Sequence, residues 1–261
     1  MSIDGDIVAC VALEDQLREK HGLNFCHVAP DLGEEGLPVR ALGMAGADYL
    51  RNLLSTQPTI TLGLGHGRTL SAAIHQLPRI EAPQMRFVSL LGCLTRNYAL
   101  NPHDVMHRIA EKTGAQAYMM PVPFFANTQE DRGVLLKQRG VSEVFAMAAQ
   151  SEVKLVGIGT VEPAAQLVEA GMIDESEIND ISRSGAVGEL LGHFFDIHGQ
   201  MIHTSLTART LSVELDLAHR AEIVALAGGI TKVAAIRAVL ASGLVTGLIT
   251  DELTAHALVA G

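Results

Sequence analysis

The sequence contains no tryptophan and few aromatic residues of any kind, which make up 4% of its 261 residues. Leu, Val, Ile and Ala must therefore fill the core, and aromatic platforms for stacking a base or a neutral sugar ring are scarce. Hydrophobic residues still make up 48% of the chain, and the mean hydropathy is +0.25. These values are typical of a well-filled globular protein and argue against disorder.

Basic residues are also scarce relative to acidic ones, with 19 Lys and Arg against 29 Asp and Glu and a formal net charge of −10. Such a chain gains nothing from the electrostatics of a phosphate backbone, so we do not expect it to hold nucleic acid by itself. No apolar stretch approaches the ~18–20 residues that span a bilayer. The N-terminal "MSIDGDIVAC" lacks the basic region of a signal peptide. We expect a cytoplasmic protein with no membrane role.

Cysteine is limited to Cys10, Cys26 and Cys93, an odd number with no CxxC or zinc-finger spacing. This usage predicts reduced, buried thiols, as in a cytoplasmic protein.

Apolar strand-forming runs alternate with helix-forming segments along the chain. Examples are "TITLGLG" before "RTLSAAIHQL", and "AEIVALAGGITK" before "VAAIRAVLASG". This alternation predicts an α/β fold with a mostly parallel, Rossmann-like sheet and flanking helices, in one compact unit over residues 1–261. Residues 188–217 break the rhythm. We expect them to form a β-hairpin with its turn at "DIHGQ", inserted at one edge of the sheet.

The segment "TLGLGHGRTLSAA" (61–73) places a glycine-rich loop between a strand and a helix. Backbone N–H groups of Gly65, His66 and Gly67 are expected to face an anion, with Arg68 adding charge and Thr69 a hydroxyl. The loop is not a dinucleotide fingerprint, because the third glycine of GxGxxG would fall at Arg68, and it lacks the GK[ST] of a P-loop. The alternative is a tight turn with Arg68 on the surface.

Two further strand ends repeat the pattern. In "ALAGGITK" (225–232), Gly228 and Gly229 precede Lys232, which falls in the first turn of a helix, where a cation is unfavourable unless an anion is present. In "VGIGT" (156–160), Gly159 precedes Thr160. Loops of this kind along one sheet edge favour a ligand with anionic or polar ends. A phosphorylated sugar fits better than a nucleotide, because few aromatic residues could stack a base.

Other segments give weaker evidence of a functional site. His103 and His107 in "HDVMH" lie one helical turn apart, near Asp104, but the third ligand of a zinc enzyme is missing, which favours a polar helix face. No G-x-S-x-G nucleophile elbow is present. The acidic "DESEINDIS" (174–182) is typical of a solvated helix start. We therefore expect no metal and no cofactor.

Several segments, in order, resemble the effector-binding domain of SorC/DeoR-type bacterial transcriptional regulators over nearly the whole chain. They include "LGLGHGRTLSAAI", "VKLVGIGTVEP", "GAVGELLGHFFDIHGQMI", "ARTLSVEL", "ALAGGITKVAAIRAVL" and "LITDELTAHALV", and residues 185–251 are the most specific part. The resemblance implies a fold akin to sugar-phosphate isomerases and CoA transferases, with a phosphorylated sugar bound at the strand ends.

The resemblance also implies a regulator that contacts DNA only through a separate N-terminal helix-turn-helix domain. The sensor half of the family begins with the helix predicted at 8–20, which leaves no room before it for a module of ~50 residues. We therefore expect that domain to be absent from this chain. Family habit further implies a homodimer or homotetramer, with the helices at 8–20 and 230–241 as candidate contacts.

By motif match, the phosphate-binding positions of the family fall on Gly67, Arg68 and Thr69. Further ligand contacts are implied at Lys232 and Arg209, and more weakly at Arg96 after "GCLT".

Three other positions bear on ligand choice. Glu189 stands where the family commonly has Asp, and Asp251 ends a strand that faces the same cleft. His66 occupies a position often taken by Trp or another residue, and "LLGCL" departs from a more glycine-rich family version.

The favoured function is a ligand-gated sensor of a carbohydrate operon regulator, in which sugar-phosphate occupancy controls the DNA affinity of an attached domain. An alternative is a sugar-phosphate isomerase, deaminase or lactonase, in which Asp251, Glu189 or His66 serves as general acid or base. No paired acid–base motif supports that alternative. A third reading is a structural oligomerisation domain whose glycine loops are only turns.

Overall fold

The computed structural model describes residues 3–95, 99, 101, 104–162, 165–216 and 221–261. Its main feature is a parallel seven-stranded sheet in the order β1-β11-β10-β5-β2-β3-β4. The strands of this sheet are β1 (Phe25–Ala29), β2 (Thr61–Leu64), β3 (Arg86–Leu94), β4 (Gln116–Pro123), β5 (Val153–Val156), β10 (Glu222–Leu226) and β11 (Gly247–Asp251). The predicted α/β class and mostly parallel sheet are confirmed.

Helices follow most of these strands. They are α1 (Ile3–His21), α2 (Val39–Thr56), α3 (Arg68–Gln76), α4 (Met106–Thr113), α5 (Gln129–Leu136), α6 (Arg139–Ala149), α7 (Gln166–Glu169), α8 (Glu175–Arg183), α9 (Val233–Ala241) and α10 (Glu252–Ala260). Short 3-10 turns at Thr207–Arg209 and Ile230–Lys232 complete the helical elements of the described residues.

Helices cover both faces of the large sheet, as the continuous apolar strands require. Along β10, Ile223 and Ala225 pack into one buried cluster and Val224 and Leu226 into the other. The first cluster contains side chains of α1, α9 and α10, and the second contains those of α2, α3 and α4. Successive side chains of a strand point to opposite faces of the sheet, so β10 contributes to both clusters and helices pack on both faces.

The hairpin predicted within 188–217 is present, but its expected place at an edge of the large sheet is wrong. The strands β6 (Gly159–Thr160), β7 (Ala186–Leu190), β8 (His193–Asp196) and β9 (Met201–Ile202) form a separate antiparallel sheet. The predicted turn is confirmed, since Asp196 Oδ1 accepts hydrogen bonds from the backbone of His198 and Gln200. Two strands preceding the hairpin pair with it and draw it away from the large sheet.

Residues 116–149 form elements that the strand–glycine–helix pattern does not indicate, namely β4, α5 and α6. The thiols, in contrast, are buried as expected, at Cys10, Cys26 and Cys93. Burial raises the pKa of the Cys26 thiol to about 12 and that of Cys93 to about 11, so both are inert thiols. Within the described ranges, no helix combines the length and apolar character needed to cross a bilayer.

Gly92 marks the closest approach of β3 and β4, where the pairing register shifts. An added Cβ there would collide with the carbonyl oxygen of Pro123 and lie 2.6 Å from that of Val122, and neither backbone atom moves easily. Gly92→Ala should therefore destabilise the fold by about 1–3 kcal/mol.

The matched control is Gly133→Ala within α5, where a Cβ meets nothing within 4 Å. That change should be neutral or stabilise by ~0.4–1 kcal/mol, because alanine favours a helix more than glycine does. Urea unfolding of both variants compares them. Equal stability of the two variants would contradict the close strand approach.

Candidate functional site

A cavity lies at the carboxyl ends of β2, β5 and β10, where ligands bind in open parallel sheets. Its free volume is about 30 Å³, and it opens in part to solvent. Four segments form most of the wall: the start of α3, the β5–β6 connection, the start of α7 and the β7–β8 turn. The lining residues include His66, Gly67, Arg68, Thr69, Ile158, Gly159, Thr160, Gln166, Glu189, Leu191 and Lys232. The structure thus brings together seven of the predicted site residues.

The glycine loop leads directly into α3, as predicted. Gly67 precedes the helix with φ of +131°, a conformation that side-chain-bearing residues rarely adopt. No side chain caps the start of α3, so its first backbone N–H groups face the cavity end of the helix. The Thr69 hydroxyl donates to the carbonyl of Leu226 at 2.9 Å, which ties this helix start to β10. The arrangement suits an anion at the helix N-terminus.

Two positive side chains, Arg68 and Lys232, line this cavity. Arg68 is the first residue of α3, and Lys232 immediately precedes α9, so both oppose a helix dipole. The Lys232 ammonium donates to the carbonyl of Ile158 at 2.7 Å. Burial, and next the charge of Arg68, lower the pKa of Lys232 to about 8, while Glu189 acts in the opposite direction. The cavity therefore holds like charges that an anion would stabilise.

Glu189 lies on β7 with only 7% of its surface exposed. Its Oε1 accepts a hydrogen bond from the backbone N–H of Gly192 at 2.5 Å. Burial raises the pKa of Glu189 to about 7, although the Gly192 hydrogen bond and Lys232 act to lower it. A Cβ at Gly159 would collide with Glu189 Oε2, so the glycine makes room for this carboxyl group.

His66 is oriented by two neighbours. Its Nδ1 lies 2.8 Å from the side-chain nitrogen of the buried Asn101. Its ring stands edge-on to Phe124, with centroids 5.4 Å apart and an interplanar angle of 82°. These contacts fix the imidazole in the cavity wall, which gives the predicted role in ligand choice a structural basis.

Arg209 does not line the cavity. Its guanidinium pairs with Glu177 at 2.6 Å and donates to the carbonyls of Ala126 and Asn127, while its Nε donates to that of Ser205. It joins α8 to the segment before α5. Its role as a ligand contact stays a prediction without support from its placement. The same ion pair changes the picture of 174–182: the segment does begin a helix, but Glu177 is largely buried rather than solvated.

Asp251 also turns away from the cavity. Its carboxylate accepts hydrogen bonds from the backbone N–H and hydroxyl of Thr254 and from the N–H of Gly229. A Cβ at Gly228 would collide with Asp251 Oδ2, and Gly229 has φ of +100°. This second glycine loop therefore anchors the start of α10, and of its predicted ligand contacts Lys232 is the one that lines the cavity.

The two remaining predicted site residues are Gly65 and Arg96. Gly65 lies below the loop, where its N–H donates to the Leu155 carbonyl at 2.9 Å. Arg96 lies outside the described residues, and so does His103 of the weighed histidine pair.

Sequence reasoning missed Gln166 and Leu191, which both line the cavity. The Gln166 Nε2 atom is buried with no hydrogen-bond partner among the described residues, and its side chain faces Gly67. Leu191 adopts a left-handed conformation with φ of +51° in the β7–β8 turn. No local pattern around "AAQLVEAG" identifies Gln166 as a site residue, because its side chain comes near Gly67 only in the folded chain.

Comparison with known proteins identifies the family of this chain. The model of the family described as "Putative sugar-binding domain" matches residues 5–260. Erythritol catabolism regulatory protein EryD of Brucella abortus (strain 2308) is 59% identical over 259 residues, covering 99% of this chain and 82% of that protein. Transcriptional regulator LsrR of Enterobacter sp. (strain 638) is 34% identical, covering 100% of this chain and 79% of that protein.

The chain belongs to this family of sugar-binding domains of transcriptional regulators.

Solved structures agree on the fold. The full-length sorbitol operon regulator SorC from Klebsiella pneumoniae superposes with a TM-score of 0.82 at 24% identity, covering 96% of this chain and 81% of that one. A domain of a possible sugar-binding regulator from Arthrobacter aurescens TC1 gives a TM-score of 0.85 at 24% identity, covering 97% and 98% of the two chains. The family resemblance seen in the sequence motifs is therefore confirmed.

The buried carboxyl of Glu189 predicts a pH-dependent stability. Because its pKa is raised from 4.5 to about 7, the folded protein keeps a proton that the unfolded chain releases between these values. The contribution of Glu189 to the stability of the ligand-free protein should therefore fall as the pH rises from 5 to 7.5. Glu189→Gln keeps an acceptor for Gly192 but cannot titrate, so the melting temperature of wild type should fall relative to that of the variant as the pH rises through this window. Parallel pH profiles for the two proteins would contradict the assignment.

Proposed function

We propose that the cavity binds a phosphorylated sugar or polyol, and that its occupancy controls DNA binding by a segment attached to this domain. The observation that carries the proposal is the convergence of Arg68 and Lys232 on one cavity beside the uncapped start of α3. A phosphate dianion there accepts charge-assisted hydrogen bonds from both side chains and from helix N–H groups.

The wall of the cavity favours an anion over a neutral ring. None of the described lining residues is Phe, Tyr or Trp, so an aromatic stacking surface is missing. The donors include Arg68, Lys232 and the unpartnered amide nitrogen of Gln166. We assign the phosphate group to the side of the cavity formed by α3 and Lys232.

Glu189 supplies the opposite chemistry within the same cavity. Its buried carboxyl can exchange hydrogen bonds with sugar or polyol hydroxyl groups, and it disfavours a second negative charge next to it. The pKa of Glu189 is raised and that of Lys232 is lowered, so both lie near neutral pH. An anion that enters the cavity would therefore change the protonation of both groups. A ligand with one phosphate and several hydroxyl groups fits a cavity that combines cationic donors with a buried carboxyl group.

The name of the Brucella relative suggests the ligand class. That protein is called an erythritol catabolism regulatory protein, and 59% of the aligned residues are identical. We therefore propose a short polyol of the erythritol type, in its phosphorylated form, as the effector, and a polyol catabolic operon as the target.

The charge of the chain and the names of its relatives both support an attached DNA-binding segment. The chain has a formal net charge of −10, which opposes direct contact with DNA. We propose cytoplasmic dimers or tetramers in which α1 and α9 form the contacts. Val8 and Val11 on α1 and Ile230 before α9 are exposed apolar side chains that suit such an interface.

A second candidate function is catalysis on the sugar phosphate. The pKa values of Glu189 and Lys232 are both displaced towards neutrality inside one cavity, a pattern also found at acid–base centres. Phosphorus NMR of the protein with a panel of sugar phosphates distinguishes the two functions. The sensor gives a melting shift with unchanged ligand resonances, whereas the enzyme converts the ligand.

Arg68→Ala and Lys232→Met should each weaken binding of a four-carbon polyol phosphate. Loss of one charge-assisted contact costs ~1.5–3 kcal/mol, which is roughly tenfold to over a hundredfold in affinity. The melting temperature without ligand should stay the same or rise, because each removed charge opposes a helix dipole. Titration calorimetry measures the affinities.

The control is Lys137→Met, an exposed lysine next to α5 and outside the cavity lining, which should bind like wild type. The unphosphorylated polyol should bind wild type far more weakly than its phosphate. Equal affinity for the polyol and its phosphate would contradict an anion site in this cavity.

A further inference from the structure

A second groove adjoins the cavity on the outer side of α3. It is formed by α2, α3 and α4, holds about 540 Å³ of space and is more open to solvent than the cavity. Its lining includes Arg40, Arg68, Arg108, His75 and Ser71. Arg68 borders both spaces, so the groove begins where the cavity ends.

The three arginines of this groove, Arg40, Arg68 and Arg108, form no ion pair with any residue that the structure describes. Several surface arginines elsewhere pair with carboxylates, as in Arg18–Asp15, Arg51–Asp48, Arg79–Glu111, Arg139–Glu143 and Arg183–Asp180, whereas the exposed Arg86 has no ion pair among the described residues. A protein with ten more acidic than basic residues thus keeps one groove free of paired carboxylates.

The acidic residue that does line the groove is engaged elsewhere. Glu34 accepts hydrogen bonds from the backbone N–H groups of Arg40 at 2.8 Å and Ala41 at 2.9 Å. These hydrogen bonds stabilise the start of α2, and the charge of Glu34 offsets part of the positive charge of the groove. Gln76, the other polar neighbour, donates to the carbonyl of Arg40.

The positions of the arginines along their helices add to the positive field. Arg40, Arg68 and Arg108 each lie in the first turn of a different helix, and none of these turns contains an acidic residue. Each guanidinium therefore adds to the positive end of a helix dipole instead of offsetting it. Three like charges held this way, without partners, are complementary to a multiply charged anion.

We propose that this groove is a second anion site, which binds a phosphate monoester group outside the enclosed cavity through Arg40 and Arg108, with Arg68 shared between the two sites. The phosphate comes either from the far end of the ligand in the cavity or from a separate phosphorylated molecule. The first case rests on the proposed function of the cavity, and the second does not.

The test compares Arg40→Gln/Arg108→Gln with wild type, with Lys232→Met and with a charge-matched control. That control is Arg79→Gln/Arg86→Gln, since both are exposed arginines outside the groove lining and the cavity lining. Calorimetry and phosphorus NMR follow three probes: inorganic phosphate, a four-carbon polyol monophosphate, and the same polyol phosphorylated at both ends.

If the phosphate belongs to the cavity ligand, the bisphosphate binds wild type at least about tenfold tighter than the monophosphate, and Arg40→Gln/Arg108→Gln removes that gain. If it belongs to a separate molecule, inorganic phosphate binds wild type together with the monophosphate, and the same double variant abolishes its binding. In both cases Lys232→Met leaves the groove binding in place and weakens the cavity ligand.

The proposal is overturned if the groove double variant matches wild type with all three probes, or if the charge-matched control loses binding equally. Failure of the cavity proposal looks different. In that case Lys232→Met has no effect on the monophosphate, while the groove variant still loses a phosphate.

Discussion

The site depends on holding Lys232 and Arg68 together in one partly enclosed space without a permanent counter-anion between them. Burial and like charge both work against the Lys232 ammonium, and their effect appears as a pKa lowered to about 8. The carbonyl of Ile158 and the carboxyl of Glu189 offset this only in part. The fold sustains the arrangement because parallel strands deliver both helix starts to one sheet edge. In the proposed function, a ligand phosphate relieves the repulsion between these two charges.

Much of the fold could be predicted from the sequence because strand, glycine and helix signals are local. The run from "TITLGLG" into α3 and the run from "AEIVAL" into α9 each carry their own apolar period and turn residues. The second sheet could not be placed in this way. β6 and β9 have two residues each, too short for a periodic signal, and their pairing with β7 and β8 depends on contacts between distant segments. β4 and the helices after it follow no glycine loop, so the same pattern does not detect them.

The candidate site could be predicted where a glycine loop joins a strand to a helix. Arg68, Thr69 and Lys232 lie at the ends of such loops, and the structure places them in one cavity. Arg209 and Asp251 show the limit of motif matching, because each is engaged by a residue distant in sequence: Glu177 for Arg209, and Gly229 for Asp251. Asp251 also caps α10 through Thr254, three residues along the chain. Gln166 is the opposite case. It lines the cavity in the folded chain, but the spacing of residues in the sequence does not predict that position.

The most direct measurement of the central claim is the pKa of Lys232, followed by the carbon-13 resonance of its Cε in protein with labelled lysine. Lys232→Met assigns the resonance. Without ligand, Lys232 should titrate near pH 8. With saturating four-carbon polyol phosphate, a dianion beside the ammonium should raise its pKa by at least about one unit, towards or above the ordinary value for lysine. The same titration midpoint with and without the phosphate would show that the anion does not bind at Lys232, and it would contradict the account.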